Sequence, residues 1–249
     1  MQTYIKLNHM QIHKPLIFIL LIINSFSSKL SAQHTEHNED IIAKTPNQNS
    51  NRILSFLALG DSYTIGQGVQ QKYSWPYQLK DTLSTLSVAI DTLTVIAQTG
   101  WTTNDLKNAL LQKSPVPHDF VSLLIGVNNQ YQKKPFTQFK KEFDDLLKQA
   151  ITLAGGSKNV IIISIPDYGV TPFGSDNSLK IGRAIDKYNS YIKQKAKVEE
   201  VSFVDITNVS RSLGDAEYAL AEDKLHPSNI QYRKWVELIV PVLLSKLNH

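Results

Sequence analysis

The sequence contains no cysteine, and this absence excludes several classes of protein. Without cysteine the chain cannot form a disulfide scaffold, a thiolate zinc site or a cysteine nucleophile. Glycine and proline are sparse, at 11 and 10 of 249 residues, which excludes fibrous and low-complexity proteins. Hydrophobic residues make up 42% of the chain and charged residues 19%, so the chain can bury a substantial core and is not wholly disordered. Its length is enough for one large domain or two small ones.

The chain also lacks a strong excess of one charge. Its formal net charge is +4, but Lys6, Lys14 and Lys29 lie in the first 32 residues, which contain no acidic side chain. The remainder of the chain is therefore close to neutral. Because a nucleic-acid-binding protein presents a basic face, we expect no nucleic-acid partner.

A long hydrophobic run is missing as well. The apolar segment 16–23 follows Lys6 and Lys14 and is well short of the about 20 residues that span a bilayer. This pattern predicts a signal peptide over residues 1–32, cleaved after Ala32, and a secreted or periplasmic protein without a membrane span. The alternative is an uncleaved signal anchor that tethers the protein to the membrane. The polar residues 33–51 are predicted to form a flexible linker, and the folded domain to span 52–249.

Five short apolar runs beyond residue 51 predict buried strands, and amphipathic stretches between them predict helices. This alternation indicates an α/β fold with a five-stranded parallel sheet covered by helices on both faces. The predicted strands are 53–59, 92–98, 120–125, 160–165 and 201–206. The clearest helical stripes consist of Phe139, Phe143, Leu146, Leu147, Ala150 and Leu153, and of Tyr232, Trp235, Val236, Ile239 and Leu243, the second with an expected kink at Pro241.

Ligands of such sheets bind at the carboxyl ends of the strands, so the residues after each strand carry the functional information. The first strand is followed by Gly60, Asp61 and Ser62. A serine in a tight turn past a buried strand is well placed to act as a nucleophile. Taken alone, the pattern also fits a serine that caps a helix, or a phosphate-binding loop whose usual glycine and lysine signature is missing.

The second and third strands are followed by Gly100 and by Gly126-Val127-Asn128. Each segment alone is typical of an ordinary turn. Together with Ser62, they place a backbone N–H and a side-chain amide at the same edge of the sheet. These are the donors that an acyl-transfer enzyme needs for a developing oxyanion.

Apart from His249, the last residue of the sequence, only His118 and His226 belong to the predicted domain. His118 precedes the third strand, which places it at the opposite edge of the sheet. His226 follows the last strand, and Asp223 lies three residues before it, so the carboxylate can accept Nδ1–H and leave Nε2 to take a proton from serine. Alone, this spacing is better explained by a salt bridge at a helix end. Two histidines without cysteine make a zinc hydrolase a poor fit.

In these four blocks the sequence resembles the SGNH hydrolases, the GDSL esterase/lipase superfamily. The blocks occur in the order of the family: Gly60-Asp61-Ser62, Gly100, Gly126-x-Asn128 and Asp223-x-x-His226. The resemblance covers roughly residues 52–249 and implies a flavodoxin-like three-layer α/β/α sandwich.

The resemblance also implies a role for each matching residue. Ser62 corresponds to the nucleophile, His226 to the general base and acid, and Asp223 to the carboxylate that orients it. The backbone N–H groups of Ser62 and Gly100 and the side chain of Asn128 correspond to the oxyanion hole. The implied function is a serine esterase that needs no cofactor or metal and cleaves small-molecule substrates, namely short acyl or acetyl esters of lipids or carbohydrates.

The sequence departs from the family at two positions. Tyr63 replaces the leucine of the GDSL string, and Asn129 replaces the aspartate that usually follows Asn128.

A long segment, 166–177, follows the fourth strand, and long loops at this edge commonly shape a pocket. The residues expected to line a substrate pocket are Trp101, Asn129, Tyr168 and Phe173. Tyr168 and Phe173 fit equally well as residues that pack on the domain, and the alternative for Trp101 is a core tryptophan that caps the following helix.

Two functions other than an esterase remain open at the level of sequence. One is a non-catalytic SGNH-like binding domain on the cell surface, and the other is a flavodoxin-like protein that binds a small molecule without hydrolysing it. A binding role does not require every catalytic position to be present, so their joint presence favours the esterase.

Overall fold

The computed structural model describes residues 52–247, and their strands form one sheet. Its five strands are parallel and lie in the order β2-β1-β3-β4-β5, which confirms the predicted fold class. The strands are β1 (Arg52–Gly60), β2 (Val88–Ala97), β3 (Phe120–Leu124), β4 (Val160–Ile163) and β5 (Ser202–Val204).

Eight helices connect and flank the strands in the described part of the chain. Short 3-10 turns occur at Gln71–Tyr73, Ser157–Asn159, Tyr168–Val170 and Ser175–Asn177. The helices are α1 (Ser62–Ile65), α2 (Trp75–Thr85), α3 (Thr103–Lys113), α4 (Val127–Tyr131), α5 (Phe136–Leu153), α6 (Ser178–Val198), α7 (Thr207–Leu213) and α8 (Asn229–Leu247).

The helices and the sheet form the three layers of an α/β/α sandwich. Helix α2 packs against α8, while α3 packs against α5. Phe139 of α5 contacts Tyr188 of α6, with 4.4 Å between their ring centroids. The helical stripes predicted for α5 and α8 are buried, apart from the partly exposed Leu153, and α8 continues past Pro241 to Leu247.

Strand β2 begins four residues before the predicted strand. Its pairing with β1 shifts by one residue, because Leu54 pairs with Ile90 and Ser55 pairs with Thr92. Asp91 is the extra residue of this bulge, and its charge interrupts the apolar pattern from which strands are recognised. The apolar pattern therefore does not indicate the first four residues of β2.

All five strands end at the same edge of the sheet, because they are parallel. The segments that leave this edge carry Ser62 after β1, Gly100 after β2, Asn128 after β3 and Tyr168 after β4. The sheet thus gathers residues that are far apart in sequence, as expected of an open α/β fold.

Two expectations concern residues beyond those described. The predicted signal peptide, 1–32, and the predicted linker, 33–51, both lie outside residues 52–247. Within that range, no helix combines the length and the apolar character that crossing a membrane requires.

Candidate active site

Ser62 lies at the first position of α1, separated from β1 only by Asp61. The turn requires glycine at position 60. A Cβ there would lie 2.1 Å from Oγ1 of Thr64 and 2.6 Å from the carbonyl oxygen of Leu124. The backbone just before Ser62 is therefore closely packed against Thr64 and Leu124. Ser62 itself borders a surface pocket.

His226 borders the same pocket and is paired with Asp223. Its Nδ1 lies 2.7 Å from Oδ2 of Asp223. The other carboxylate oxygen accepts the backbone N–H groups of His226 and Leu225, at 2.9 and 3.0 Å. With Nδ1 engaged on the carboxylate, Nε2 is the nitrogen that can accept a proton.

The surroundings of Asp223 favour its ionised form. Burial raises the pKa of Asp223, but the hydrogen bonds from His226 and Leu225 outweigh burial and hold the pKa below its ordinary value. The carboxylate therefore remains charged at neutral pH, where it can stabilise an imidazolium.

Tyr63, one of the two departures from the family, packs beside the histidine. Its ring meets the imidazole of His226 edge-on, with 5.8 Å between centroids, and meets Trp235 at 6.2 Å. The larger side chain thus occupies the space between the imidazole and α8, and it supports the histidine from the side of the core.

Gly100 and Asn128 border the same pocket and lie on segments that are hydrogen-bonded to each other. One N–H of the Asn128 amide donates to the carbonyl oxygen of Trp101 at 2.9 Å, and Gln132 donates to the carbonyl oxygen of Gly100 at 3.1 Å. Helix α4 is therefore hydrogen-bonded to the Gly100 loop. The Asn128 amide has a second N–H, which this interaction does not use.

Asn129 does not line the pocket, contrary to the expectation from sequence. Successive residues of a helix are rotated by about 100°, so the neighbour of Asn128 points towards the core. Asn129 is fully buried, accepts the backbone N–H of Thr103 at 3.0 Å and donates to its hydroxyl at 2.7 Å. The Thr103 hydroxyl donates in turn to Glu142 at 2.5 Å. Asn129 thus anchors the start of α3.

Trp101 is also absent from the residues that border the pocket. Its half-buried side chain packs against the hydrophobic core, which was the alternative interpretation of this residue. Its backbone contributes to the site instead, because its carbonyl oxygen accepts from Asn128.

The pocket has a volume of about 270 Å³ and is lined by the hydroxyl-bearing Ser62, the imidazole of His226 and several aromatic side chains. Tyr168 and Phe173, which are expected from sequence to line a substrate pocket, border this cavity, and so does Tyr131, which is not among the residues expected from sequence. A signal for Tyr131 existed, since it lies one helical turn after Asn128. The lining residues are Ser62, Tyr63, Thr99, Gly100, Val127, Asn128, Tyr131, Tyr168, Phe173, Leu225 and His226.

His118 lies before β3, at the opposite edge of the sheet from Ser62. It is buried, with Nε2 2.8 Å from the Thr94 hydroxyl and Nδ1 2.7 Å from the carbonyl oxygen of Val116. Both ring nitrogens are therefore used in structural contacts. Among the described residues, no three His, Asp or Glu side chains are grouped so as to hold a metal ion.

Comparison with known protein families gives one match. The model of the GDSL-like Lipase/Acylhydrolase family matches residues 58–234, which include all four sequence blocks described above. No curated protein matches the chain in sequence.

Solved structures of this fold include several hydrolases. The lipase/acylhydrolase from Enterococcus faecalis is 19% identical, with a TM-score of 0.61, and the match covers 78% of this chain and 96% of that one. The psychrotrophic esterase EstA from Pseudoalteromonas sp., inhibited by monoethylphosphonate, is 18% identical, with a TM-score of 0.58 and coverage of 78% and 99%. The acetylxylan esterase Axe2 from Geobacillus stearothermophilus is 19% identical, with a TM-score of 0.58 and coverage of 76% and 94%. At these identities the likeness establishes the fold.

Proposed function

Because the chain belongs to the GDSL-like lipase/acylhydrolase family, we propose that it is a serine esterase that acts through Ser62, His226 and Asp223. The observation that carries the proposal is the imidazole–carboxylate pair, 2.7 Å apart, on the same pocket as Ser62. A nucleophile, a base and a group that orients the base are the three parts of a serine triad.

The proposed reaction begins when Nε2 of His226 takes the proton of Ser62 as its oxygen attacks the ester carbonyl carbon. The backbone N–H groups of Ser62 and Gly100 and the second N–H of Asn128 stabilise the oxyanion. The imidazolium then protonates the departing alcohol, and the acyl group remains on Ser62. Water attacks the acyl-enzyme with His226 again as the base, which releases the acid and restores the hydroxyl.

The proposed substrates are short acyl or acetyl esters of lipids or carbohydrates. The pocket volume of about 270 Å³ supports a short group, because pockets for drug-sized ligands occupy roughly 300–1,000 Å³. A lipase/acylhydrolase and an acetylxylan esterase occur among the solved structures of the same fold. Lipid and carbohydrate esters are therefore the two classes to compare.

A hydrolysis panel tests this function. The panel contains p-nitrophenyl esters from acetate to palmitate, acetylated xylan and a lysophospholipid, each assayed with the wild-type protein and with Ser62→Ala. We expect turnover of short esters by the wild type and none above background by the variant. Binding of an ester without turnover by the folded wild type would identify a binding domain instead of an enzyme.

We further propose that residues 1–32 are a signal peptide and that the protein is exported. The basis is the short apolar segment 16–23 after Lys6 and Lys14. Sequencing the N-terminus of the exported protein tests this, and we expect it to begin at Gln33. A membrane-bound product of full-length mass would indicate an uncleaved anchor.

A further inference from the structure

Three aromatic rings meet at one side of the pocket. Tyr131 lies 6.3 Å from Tyr168 and 5.8 Å from Phe173, measured between ring centroids, and the rings of Tyr168 and Phe173 are 6.3 Å apart. All three residues border the pocket. We call Tyr131, Tyr168 and Phe173 the aromatic wall.

The aromatic wall is attached to the helix that carries the oxyanion-hole amide. Tyr131 is the last residue of α4, and Asn128 is the second. Tyr168 comes from the loop after β4, and its hydroxyl donates to Oε1 of Gln130 on α4 at 2.7 Å. The position of the wall relative to Asn128 is therefore fixed by a short helix and a hydrogen bond.

The loop that carries Tyr168 and Phe173 is held in place independently of any ligand. Buried Asp167 accepts the backbone N–H of Gly169 at 2.8 Å and Nε–H of Arg211 at 2.9 Å. The hydroxyl of Thr171 donates to the carbonyl oxygen of Tyr168 at 2.7 Å. A binding surface that is already ordered loses little conformational entropy when a ligand arrives.

The chemistry of the wall fits an uncharged apolar group. Tyr131 and Phe173 are 54% and 52% exposed, although both carry large rings. The hydroxyl of Tyr168 is occupied by Gln130, so the inner ring offers mainly its apolar surface. Among residues 52–247, no Lys, Arg, Asp or Glu lines this pocket.

The catalytic geometry assigns this wall to one part of the ester. The departing alcohol must receive its proton from Nε2 of His226, so it lies towards His226 and Leu225. The carbonyl oxygen lies towards Gly100 and Asn128. The remaining substituent of the carbonyl carbon is the acyl group. Of the lining residues not yet assigned, which are Tyr63, Thr99, Val127 and the aromatic wall, the wall supplies three clustered aromatic rings.

We propose that the aromatic wall is the acyl subsite and that Tyr131 and Phe173 determine acyl specificity, selecting a short uncharged acyl group larger than acetyl. This inference rests on the proposed esterase function. Each methylene that contacts the rings should favour binding by severalfold, because burial of one methylene is worth about fourfold in affinity. The wild type should therefore prefer butyrate to acetate by about tenfold in kcat/KM.

The test uses two substrate series on the full chain. The acyl series is p-nitrophenyl acetate, butyrate and hexanoate, in which the alcohol is constant; the alcohol series is p-nitrophenyl, phenyl and naphthyl acetate, in which the acyl group is constant. We expect Phe173→Ala and Tyr131→Ala to reduce the butyrate-to-acetate ratio to about one, chiefly through KM, and to leave the ratios within the alcohol series unchanged. Phe173→Leu and Tyr131→Phe should retain most of the preference.

Tyr218→Ala is the matched control, because Tyr218 is 53% exposed and does not border the pocket. A ratio that stays unchanged in folded wall variants, or a change confined to the alcohol series, would overturn the acyl assignment. Hydrolysis that persists in Ser62→Ala, or a wild type that hydrolyses none of the esters, would overturn the esterase function itself. The two failures are therefore distinguishable.

Discussion

Asp61, which precedes Ser62 and caps helix α1, is unusually buried for a helix cap. Asp61 is fully buried, and Oδ1 accepts the backbone N–H of Tyr63 at 3.1 Å. Its other oxygen has no hydrogen-bond partner among the described residues. Burial outweighs the backbone hydrogen bonds and raises the pKa of Asp61 from 3.8 to about 7. The folded protein therefore holds the Asp61 proton more tightly than the unfolded chain does.

This raised pKa predicts a stability that falls as the pH rises. Between about pH 4 and pH 7 the unfolded chain has lost the Asp61 proton while the folded protein retains it, so the free energy of unfolding decreases through this window, by roughly 4 kcal/mol at most. Asp61→Asn keeps an oxygen that can accept from Tyr63 and carries no charge. We expect the variant to gain stability relative to the wild type from pH 5 to pH 8 in urea unfolding. An equal change in the free energy of unfolding of the wild type and of Asp61→Asn between pH 5 and pH 8 would contradict a buried carboxylate with a raised pKa.

A second prediction at this scale concerns Asp223, the carboxylate of the triad that we propose. Asp223→Asn should leave the protein folded and reduce kcat by about 10⁴-fold, because an amide cannot fix the same tautomer or stabilise the imidazolium. Since the pKa of Asp223 lies below its ordinary value, protonation of this carboxylate should not limit wild-type activity near neutral pH. Steady-state kinetics from pH 5 to 9 measure both effects.

His118 is the control for that experiment. It is the other histidine of residues 52–247, and its hydrogen bonds to Thr94 and Val116 are structural. His118→Ala should lower the melting temperature and leave kcat/KM at 25 °C nearly unchanged. An inactive but folded His118 variant would show that the site lies at the other edge of the sheet.

At the scale of elements, the loop after β4 depends on α7 for its position. Arg211 of α7 bridges Asp167, which is buried on this loop, and Asp186 on α6, at 2.9 and 2.7 Å. These two ion pairs share one guanidinium but differ in burial, since the side chain of Asp186 is 59% exposed. The pair with Asp167 should therefore contribute more to stability.

Arg211→Gln should destabilise the fold by about 2–3 kcal/mol, because it leaves the buried carboxylate of Asp167 without its charged partner. The loop should also lose order, so that KM for short esters rises while kcat changes little. Asp186→Asn is the matched variant and should cost less than about 1 kcal/mol. Urea unfolding and steady-state kinetics compare the two; equal destabilisation by both would contradict the role of Asp167.

The elements that sequence could predict are those with a clear period or a long apolar run. Strands β1, β3 and β4 and helices α5 and α8 fall in this class. Helices α1 and α4, of four and five residues, are too short to display a helical period, so the orientation of their side chains was not predictable. Asn129 was therefore expected in the pocket, and the spacing of Tyr131, one turn after Asn128, becomes informative only once a helix is known to begin at Val127.

At the scale of the whole molecule, the site depends on the register of the sheet. Its parts come from the segments after β1, β2, β3 and β4 and from the loop before α8, which are joined only through the fold. The types of the site residues and their order along the chain could be predicted from the sequence. Their distances, and the partners of Asn128 and Asp167, depend on packing between elements that are distant along the chain.

A prediction at this scale concerns the residue at which the folded domain begins. The described elements begin at Arg52, and the residues given above as lining the pocket all lie within residues 52–247. A chain that begins at Gln48 should therefore match the full-length protein in melting temperature and in kcat/KM for p-nitrophenyl butyrate. Loss of folding on removal of residues 1–47 would show that the domain begins earlier than we propose.

The most direct test of the central claim is covalent labelling of the full chain with a fluorophosphonate, followed by mass mapping of the labelled peptide. Attack by an activated serine displaces fluoride and leaves a stable phosphonyl ester. We expect one adduct per chain, on Ser62, with loss of esterase activity in proportion to labelling and no adduct on Ser62→Ala. An adduct on a different residue, or equal labelling of Ser62→Ala, would contradict Ser62 as the nucleophile.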